Sequence, residues 1–229
     1  LNDSTIYSIG DIYLGDKAID KKFLTDLDAA ADISGVNDLV LTNNLTNSSG
    51  IIESEGNIEI DIAGDLVNKR SKMRKTELTH IKRWGTRFPG HELHYRANGE
   101  ISDQSSIKSN NNINISANHI LNDASYIGVG NNITINANSL ENKAYSLENY
   151  NHREWACDTT GCYDRGITWR GANEIHNSLI HAGNQVSITL NGQVATTDSA
   201  NNPILASLVN SGNIFGGQNV TINSSNTVL

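Results

Sequence analysis

A chain of 229 residues with a formal net charge of −8 argues against a general nucleic-acid binder. Two cysteines are too few for a disulfide scaffold, and no run of ~18 apolar residues exists to span a membrane as a helix. The composition holds 32 Asn and 19 Gly against 2 Pro and 1 Met, which suggests many short strands joined by tight turns, since Asn and Gly accept left-handed backbone.

Leu1 starts no leader pattern and the chain opens in mid-pattern, so a piece of a longer protein is expected. Ile6, Ile9, Ile12 and Leu14 fit one turn of a repeat, with Gly10 and Asp11 as its bend. A first insertion follows at about 16–36. Ala18, Ile19, Leu24, Leu27 and Ala31 recur there at helical spacing, which reads as a short helix or a structured loop. Asn37 to Asn68 returns to alternation, with Leu39, Leu41 and Leu45 leading into Ile58, Ile60, Leu66 and Asn68.

A second insertion at about 69–100 has no repeat character. Over 69–96, Lys69, Arg70, Lys72, Arg74, Lys75, Lys82, Arg83, Arg87 and Arg96 face only Glu77 and Glu92, a net +7, so the rest of the chain carries −15. Trp84, Phe88 and Tyr95 lie among these charges, with His80, His91 and His94. His91-Glu-Leu-His94 lacks the i, i+4 spacing of a helical zinc motif, so no metal or other cofactor is expected.

Ile101 to Asn142 is the clearest stretch. Ile113, Ile115, Ala117 and Asn122 recur twenty residues later as Ile133, Ile135, Ala137 and Asn142. A fixed period near twenty is the mark of a repeat architecture, in which each unit is too short to bury its own apolar face and must stack on its neighbours. A third insertion at about 143–172 carries Tyr145, Tyr150, Trp155, Tyr163 and Trp169 with both cysteines, Cys157 and Cys162. The repeat resumes at Asn177 to Val194, a polar loop spans Ala195 to Pro203, and Val209 to Asn223 is the last copy.

Alternation within each unit puts Ile133, Ile135 and Ala137 on one side and Thr134 and Asn136 on the other. The expected fold is all-β, a parallel β-helix of one domain over 1–229, with loop insertions leaving it. Strands of three to five residues, six to eight coils and a rod of roughly 30–40 Å follow from the ~4.8 Å strand spacing. A leucine-rich repeat would need a denser Leu frame. Stacked Asn side chains are expected to form ladders.

The frame seen in Asn47, Gly50, Ile52, Ser54, Gly56, Asn57, Ile58, Ile60, Leu66 and Asn68 resembles the filamentous haemagglutinin repeat. That repeat belongs to large exoproteins of two-partner secretion, among them adhesins and contact-dependent growth inhibition effectors. The resemblance covers roughly two-thirds of the chain and leaves out the insertions. It implies a right-handed parallel β-helix forming a filament on a Gram-negative cell surface, with export through an outer-membrane transporter. An exported chain meets oxidising conditions, so the Cys157/Cys162 pair reads as a loop-closing disulfide. Zinc would need two more ligands, for which His152 and His176 are candidates, and a catalytic thiol has no evident base.

The candidate recognition residues are Arg74, Arg83, Trp84, Arg87, Phe88, Tyr95 and Arg96 in the basic insertion, and Tyr150, Trp155, Tyr163 and Trp169 in the aromatic one. Arg forks suit phosphate or carboxylate, and aromatics with Arg are typical interface anchors. The expected partner is an outer-membrane protein or lipopolysaccharide of a target cell, or a host receptor. A loop that merely balances an acidic filament, and a β-helical carbohydrate-active enzyme, are the competing readings. The second would need grouped carboxylates, whereas Asp11, Glu59, Asp61 and Asp65 are scattered. Two repeat units separate the basic and aromatic insertions, ~10 Å along a stack, close enough to form one patch if both leave from the same side.

Overall fold

The computed structural model describes residues 5–8, 12–15, 33–35, 38–41, 43–197 and 203–224. Every regular element among them is a strand. They form two compact units. Leu1–Ser71, Ser102–Ala144 and Asn177–Leu229 make the first, and Lys72–Ile101 with Tyr145–His176 make the second.

The first unit is parallel. One sheet runs Asn213–Gly216, Leu179–Ala182, Tyr126–Val129, Ser106–Ser109, Ile51–Ser54, Thr5–Ser8 and Ile33–Gly35. Another runs Asn219–Ser224, Gln185–Leu190, Asn132–Lys143, Ile113–Asp123, Ile58–Asp61, Ile12–Gly15 and Asp38–Leu41. The later halves of its two long strands take further parallel partners. Asp65–Lys69 lies beside 119–123, Leu45–Ser48 beside Asp65–Lys69, and Leu208–Asn210 beside 140–142.

Parallel pairing at a twenty-residue step puts like on like: Ile113 opposes Ile133, Ile115 opposes Ile135, and Asn122 opposes Asn142. The aliphatic rows are dry until the last strand, where Val220 and Ile222 are exposed. Ile52, Ile107, Ile127 and Ile180 are fully buried, as are Ile60, Ile115, Ile135 and Ile188 on the second sheet to within 1%. Removing each such side chain from water contributes about 1.5–3 kcal/mol. The inward positions are Ile113 and Ile115 early in their strand but Ile120 and Asn122 late in it, a slip of one residue near Asn118. A strand that shifts its buried parity this way must turn a corner to keep its apolar side chains on the same side. The strands are accordingly longer than the three to five residues expected: 11 residues for Ile113–Asp123 and 12 for Asn132–Lys143.

The repeated Asn is the polar counterpart of those rows. Asn47, Asn68, Asn122 and Asn142 are all fully buried. Each amide Nδ2 donates to the Oδ1 of the next, at 3.0 Å from Asn47 to Asn68, 2.8 Å from Asn68 to Asn122, and 2.8 Å from Asn122 to Asn142. The same Nδ2 reaches a backbone carbonyl of the following strand in the first sheet: Ser106 for Asn47, Tyr126 for Asn68, Asn213 for Asn142. A buried amide is tolerable only when its donors and acceptor are used, and from Asn68 onward this row uses them by repetition, whereas Asn47 Oδ1 at its start has no partner among the described residues. At the turns, Gly130, Gly183 and Gly217 pack so closely that a Cβ would lie 2.1–2.3 Å from the carbonyl oxygen of the turn beneath.

Three expectations change. Ile33–Gly35 and Asp38–Leu41 lie outside Thr5–Ser8 and Ile12–Gly15, so the first strands do not stack in chain order. The loop at Ala195–Pro203 is flanked by an antiparallel pair, Val194–Thr197 with Pro203–Ala206. The helix or loop expected over 16–36 falls mostly on residues 16–32, outside the described residues, as does the Gly10–Asp11 bend; Ile33–Gly35 is a strand.

Candidate functional site

The second unit is built from the two insertions, and its strands pair antiparallel. They were expected as loops at 69–100 and 143–172; instead they supply strands, and the unit's bounds shift to Lys72–Ile101 and Tyr145–His176. Threonines, aromatics and Ile at alternating positions favour extended backbone over loop. Lys75–Trp84 and Gly90–Asn98 form one hairpin, and Tyr150–Asp158 pairs with both Gly161–Tyr163 and Gly166–Arg170. The join between insertions is Gly90–Asn98 against Tyr150–Asp158, with His91 opposite Trp155 and Tyr95 opposite Tyr150. Tyr145–Leu147 pairs with Glu174–His176 as a small second sheet.

Local chemistry explains both hairpin turns. Gly85 has φ 79°, and a Cβ there would meet the Phe88 carbonyl oxygen at 2.1 Å, so the 85–89 turn requires glycine and presents Arg87 and Phe88 at its tip. In the second turn Asp158 Oδ1 accepts the Thr160 amide at 2.7 Å and the Thr160 hydroxyl at 2.6 Å, and Oδ2 accepts the Tyr163 hydroxyl at 2.8 Å. Those donors, Thr160 first, pull the Asp158 carboxyl from its ordinary 3.8 to about 2. Cys157 and Cys162 face each other in register and are joined as a disulfide.

Strand alternation gives this sheet two unlike faces. One carries Leu78, Ile81, Leu93, Tyr95 and Trp155, with Tyr95 stacked on Tyr150 at 4.6 Å and His91 edge-on to Trp155 at 5.4 Å. The other carries Arg96 over the Trp169 ring at 4.7 Å and Arg153 over the Trp84 ring at 4.9 Å. Leu78, Ile81 and Trp169 are 45%, 43% and 47% exposed, so both faces keep large apolar side chains open to water.

The named candidates do not gather at one place. Trp84, Arg87 and Phe88 come together in an open groove of about 440 Å³, joined by Arg153 and Arg165. Arg83 and Trp155 line a groove on the other side of the hairpin, of about 470 Å³, with Ile81, His91 and Leu93. Arg74 and Arg96 are occupied internally. Arg74 pairs with Glu174 at 3.1 Å, and Arg96 donates to the carbonyl oxygens of Tyr95 at 2.7 Å and Tyr150 at 3.2 Å. Tyr163 accepts a hydrogen bond from Arg165 and donates to Asp158, which places it at the second turn. Lys69 and Arg70, counted with the basic insertion, belong to the parallel unit, where Arg70 donates to the carbonyl oxygens of Ala124 and Ser102.

Arg153 and Arg165 escaped the sequence reading. The third insertion balances Lys143, Arg153, Arg165 and Arg170 with Glu148, Glu154, Asp158 and Asp164, so its net charge gives no signal. His91 and His94 point to opposite faces of their strand, where His91 meets Glu154 at 2.5 Å and His94 lies edge-on to His80 at 5.3 Å. No group of three or more metal-ligating side chains occurs among the described residues. Comparison of the chain with protein-family models, with characterised proteins and with solved structures finds no match.

Proposed function

We propose that this chain is a segment of a cell-surface exoprotein and that the antiparallel unit is its receptor-binding surface. The carrying observation is the contrast in exposure: all three Trp lie outside the repeat, on a two-faced sheet whose Ile and Trp side chains stay open to water. Contiguous exposed apolar and Arg-bearing surface marks interaction sites. The partner class is an outer-membrane protein or lipopolysaccharide of a target cell, or a host receptor, serving adhesion or contact-dependent growth inhibition. On the same reading the parallel sheets are faces of a right-handed parallel β-helix of the filamentous haemagglutinin kind, exported through an outer-membrane transporter and without catalytic activity. The in-register Ile and Asn rows at a twenty-residue step support that architecture.

The test compares the fluorescently labelled chain with a version in which 72–101 and 145–176 are replaced by short Gly-Ser turns. Binding to a panel of Gram-negative and host cells is expected for the intact chain alone. Equal, background-level binding by both would leave a purely structural filament segment as the better reading.

A further inference from the structure

The groove at the 85–89 turn has a composition that narrows what it takes. Arg87 and Arg165 are exposed and Arg153 is half-buried, and all three line the same opening. Among the described residues no carboxylate pairs with any of them, whereas Arg74 and Lys72 in the same unit do have carboxylate partners at 3.1 and 2.7 Å. Their positions are set by rings: Arg153 lies over Trp84, Arg87 over Phe88 at 5.6 Å, and Arg165 over Tyr163 at 5.0 Å. A guanidinium stacked on a ring keeps its in-plane N–H donors available to an oxyanion, although Arg165 already spends one of its own on the Tyr163 hydroxyl. The Nε of Arg153 is buried and has no hydrogen-bond partner, an orphan donor of the kind a ligand oxygen would satisfy.

Size and lining carry the argument further than charge. The groove is about 440 Å³, within the ~300–1,000 Å³ of small-molecule sites and far larger than one phosphate needs. Its remaining wall is Trp84, Gly85, Thr86, Phe88, Ala156 and Cys157, which offers mostly apolar surface with one hydroxyl and no further charge. A ligand that matches has an anionic group for the guanidiniums and a ring with C–H edges for the aromatics. We propose that this groove binds an anionic saccharide unit, a sugar ring bearing a phosphate or carboxylate. The inference rests on the receptor-binding reading only for its biological setting, since the groove's chemistry stands by itself.

The experiment is a titration of the full ¹⁵N-labelled chain, following the Trp84 indole N–H cross-peak, with mannose 6-phosphate, glucuronic acid, mannose, inorganic phosphate and a short acidic peptide. Saturable binding is expected for mannose 6-phosphate or glucuronic acid, and which of the two is tighter distinguishes phosphate from carboxylate. Mannose, inorganic phosphate and the peptide are each expected to bind at least about tenfold more weakly, a loss of ring or anion contacts. The Arg87→Gln/Arg165→Gln double variant changes two exposed side chains and is expected to lose at least about tenfold in affinity with an unchanged far-ultraviolet spectrum. Arg153→Lys, which keeps the charge and loses the fork, is expected to weaken binding as well. Equal affinity for the sugar acids and for inorganic phosphate or the acidic peptide would overturn the proposal, as would a double variant that binds like the parent chain. A chain that binds the sugar acid but no cells keeps the groove and removes the receptor reading; a chain that binds cells but no sugar acid does the reverse.

Discussion

In the parallel unit Ile115 and Ile135 are sealed from water, whereas in the antiparallel unit Leu78 and Ile81 are 45% and 43% exposed. Both units are sheets of similar residues, so the difference lies in what the side chains face. In the first, side chains at the same repeat position meet their own kind, and even in the buried polar row of Asn47, Asn68, Asn122 and Asn142 each amide donates to the next copy or accepts from the one before it. In the second, stability rests on ladder hydrogen bonds, stacked pairs such as Tyr95–Tyr150, the Arg74–Glu174 ion pair and one disulfide. The outer side chains are thereby left open to water. A repeat can be stable with nothing to say on its surface, and an inserted sheet can be specific while contributing little to the core.

The largest break in this comparison comes from truncating one residue in each unit. Ile115→Ala or Ile135→Ala removes a fully enclosed side chain and is expected to cost about 2–5 kcal/mol. Ile81→Ala is expected to stay within about 1 kcal/mol, since its side chain is half open already. Urea unfolding of the three variants reads the contrast directly.

Next comes the Asn row. Asn122→Ala removes the acceptor for Asn68 Nδ2 and the donor to Asn142 Oδ1, and each group left unpaired in the interior costs about 1–3 kcal/mol. The exposed pair Asn118 and Asn138 is bonded at 2.8 Å in the same register, yet Asn138→Ala is expected to cost less than about 0.5 kcal/mol because water replaces the lost partner. Equal destabilisation by the two substitutions would mean that burial does not decide the value of the row.

A third test sharpens the independence of the units. Replacing Cys157 and Cys162 together by Ser opens a loop of sequence separation 5 and is expected to cost at most about 2 kcal/mol. Hydrogen exchange should speed up in 150–163 and leave the amides of 113–143 unchanged.

The smallest effect is a titration. Asp158 is held at about 2, below its ordinary 3.8, by Thr160 and then Tyr163. A carboxylate depressed in the folded state supports the fold above its unfolded pKa and loses that support as pH falls through its folded value. The 158–161 turn is therefore expected to loosen as pH drops from about 3.8 to about 2, seen as a Thr160 amide shift with its midpoint near 2. In the parallel unit Glu141 is also held low, by its hydrogen bond with His119, but it lies six residues beyond Ile135, and the Ile133 and Ile135 amides should not move over the same range.

What could be read in the chain follows the same division. Ile113, Ile115, Ile133, Ile135 and the Asn122/Asn142 pair were legible because parallel strands at a constant step stack identical positions, so the three-dimensional neighbour is also the sequence match. Trp84, Arg87 and Phe88 were legible as a charged aromatic cluster because they lie within five residues of one another. By itself the sequence determined the parallel ladders, their buried rows and the interruptions of the repeat near 69–100 and 143–172. The pairing of Gly90–Asn98 with Tyr150–Asp158 had no such signal, since antiparallel partners need no resemblance and more than fifty residues separate them. Only the tertiary structure decided that the two interruptions form one sheet. It also decided that Arg96 serves that sheet while Arg153 and Arg165 join the groove. Register and bulges, which set what each side chain faces, depend on contacts that alternation along one strand does not encode.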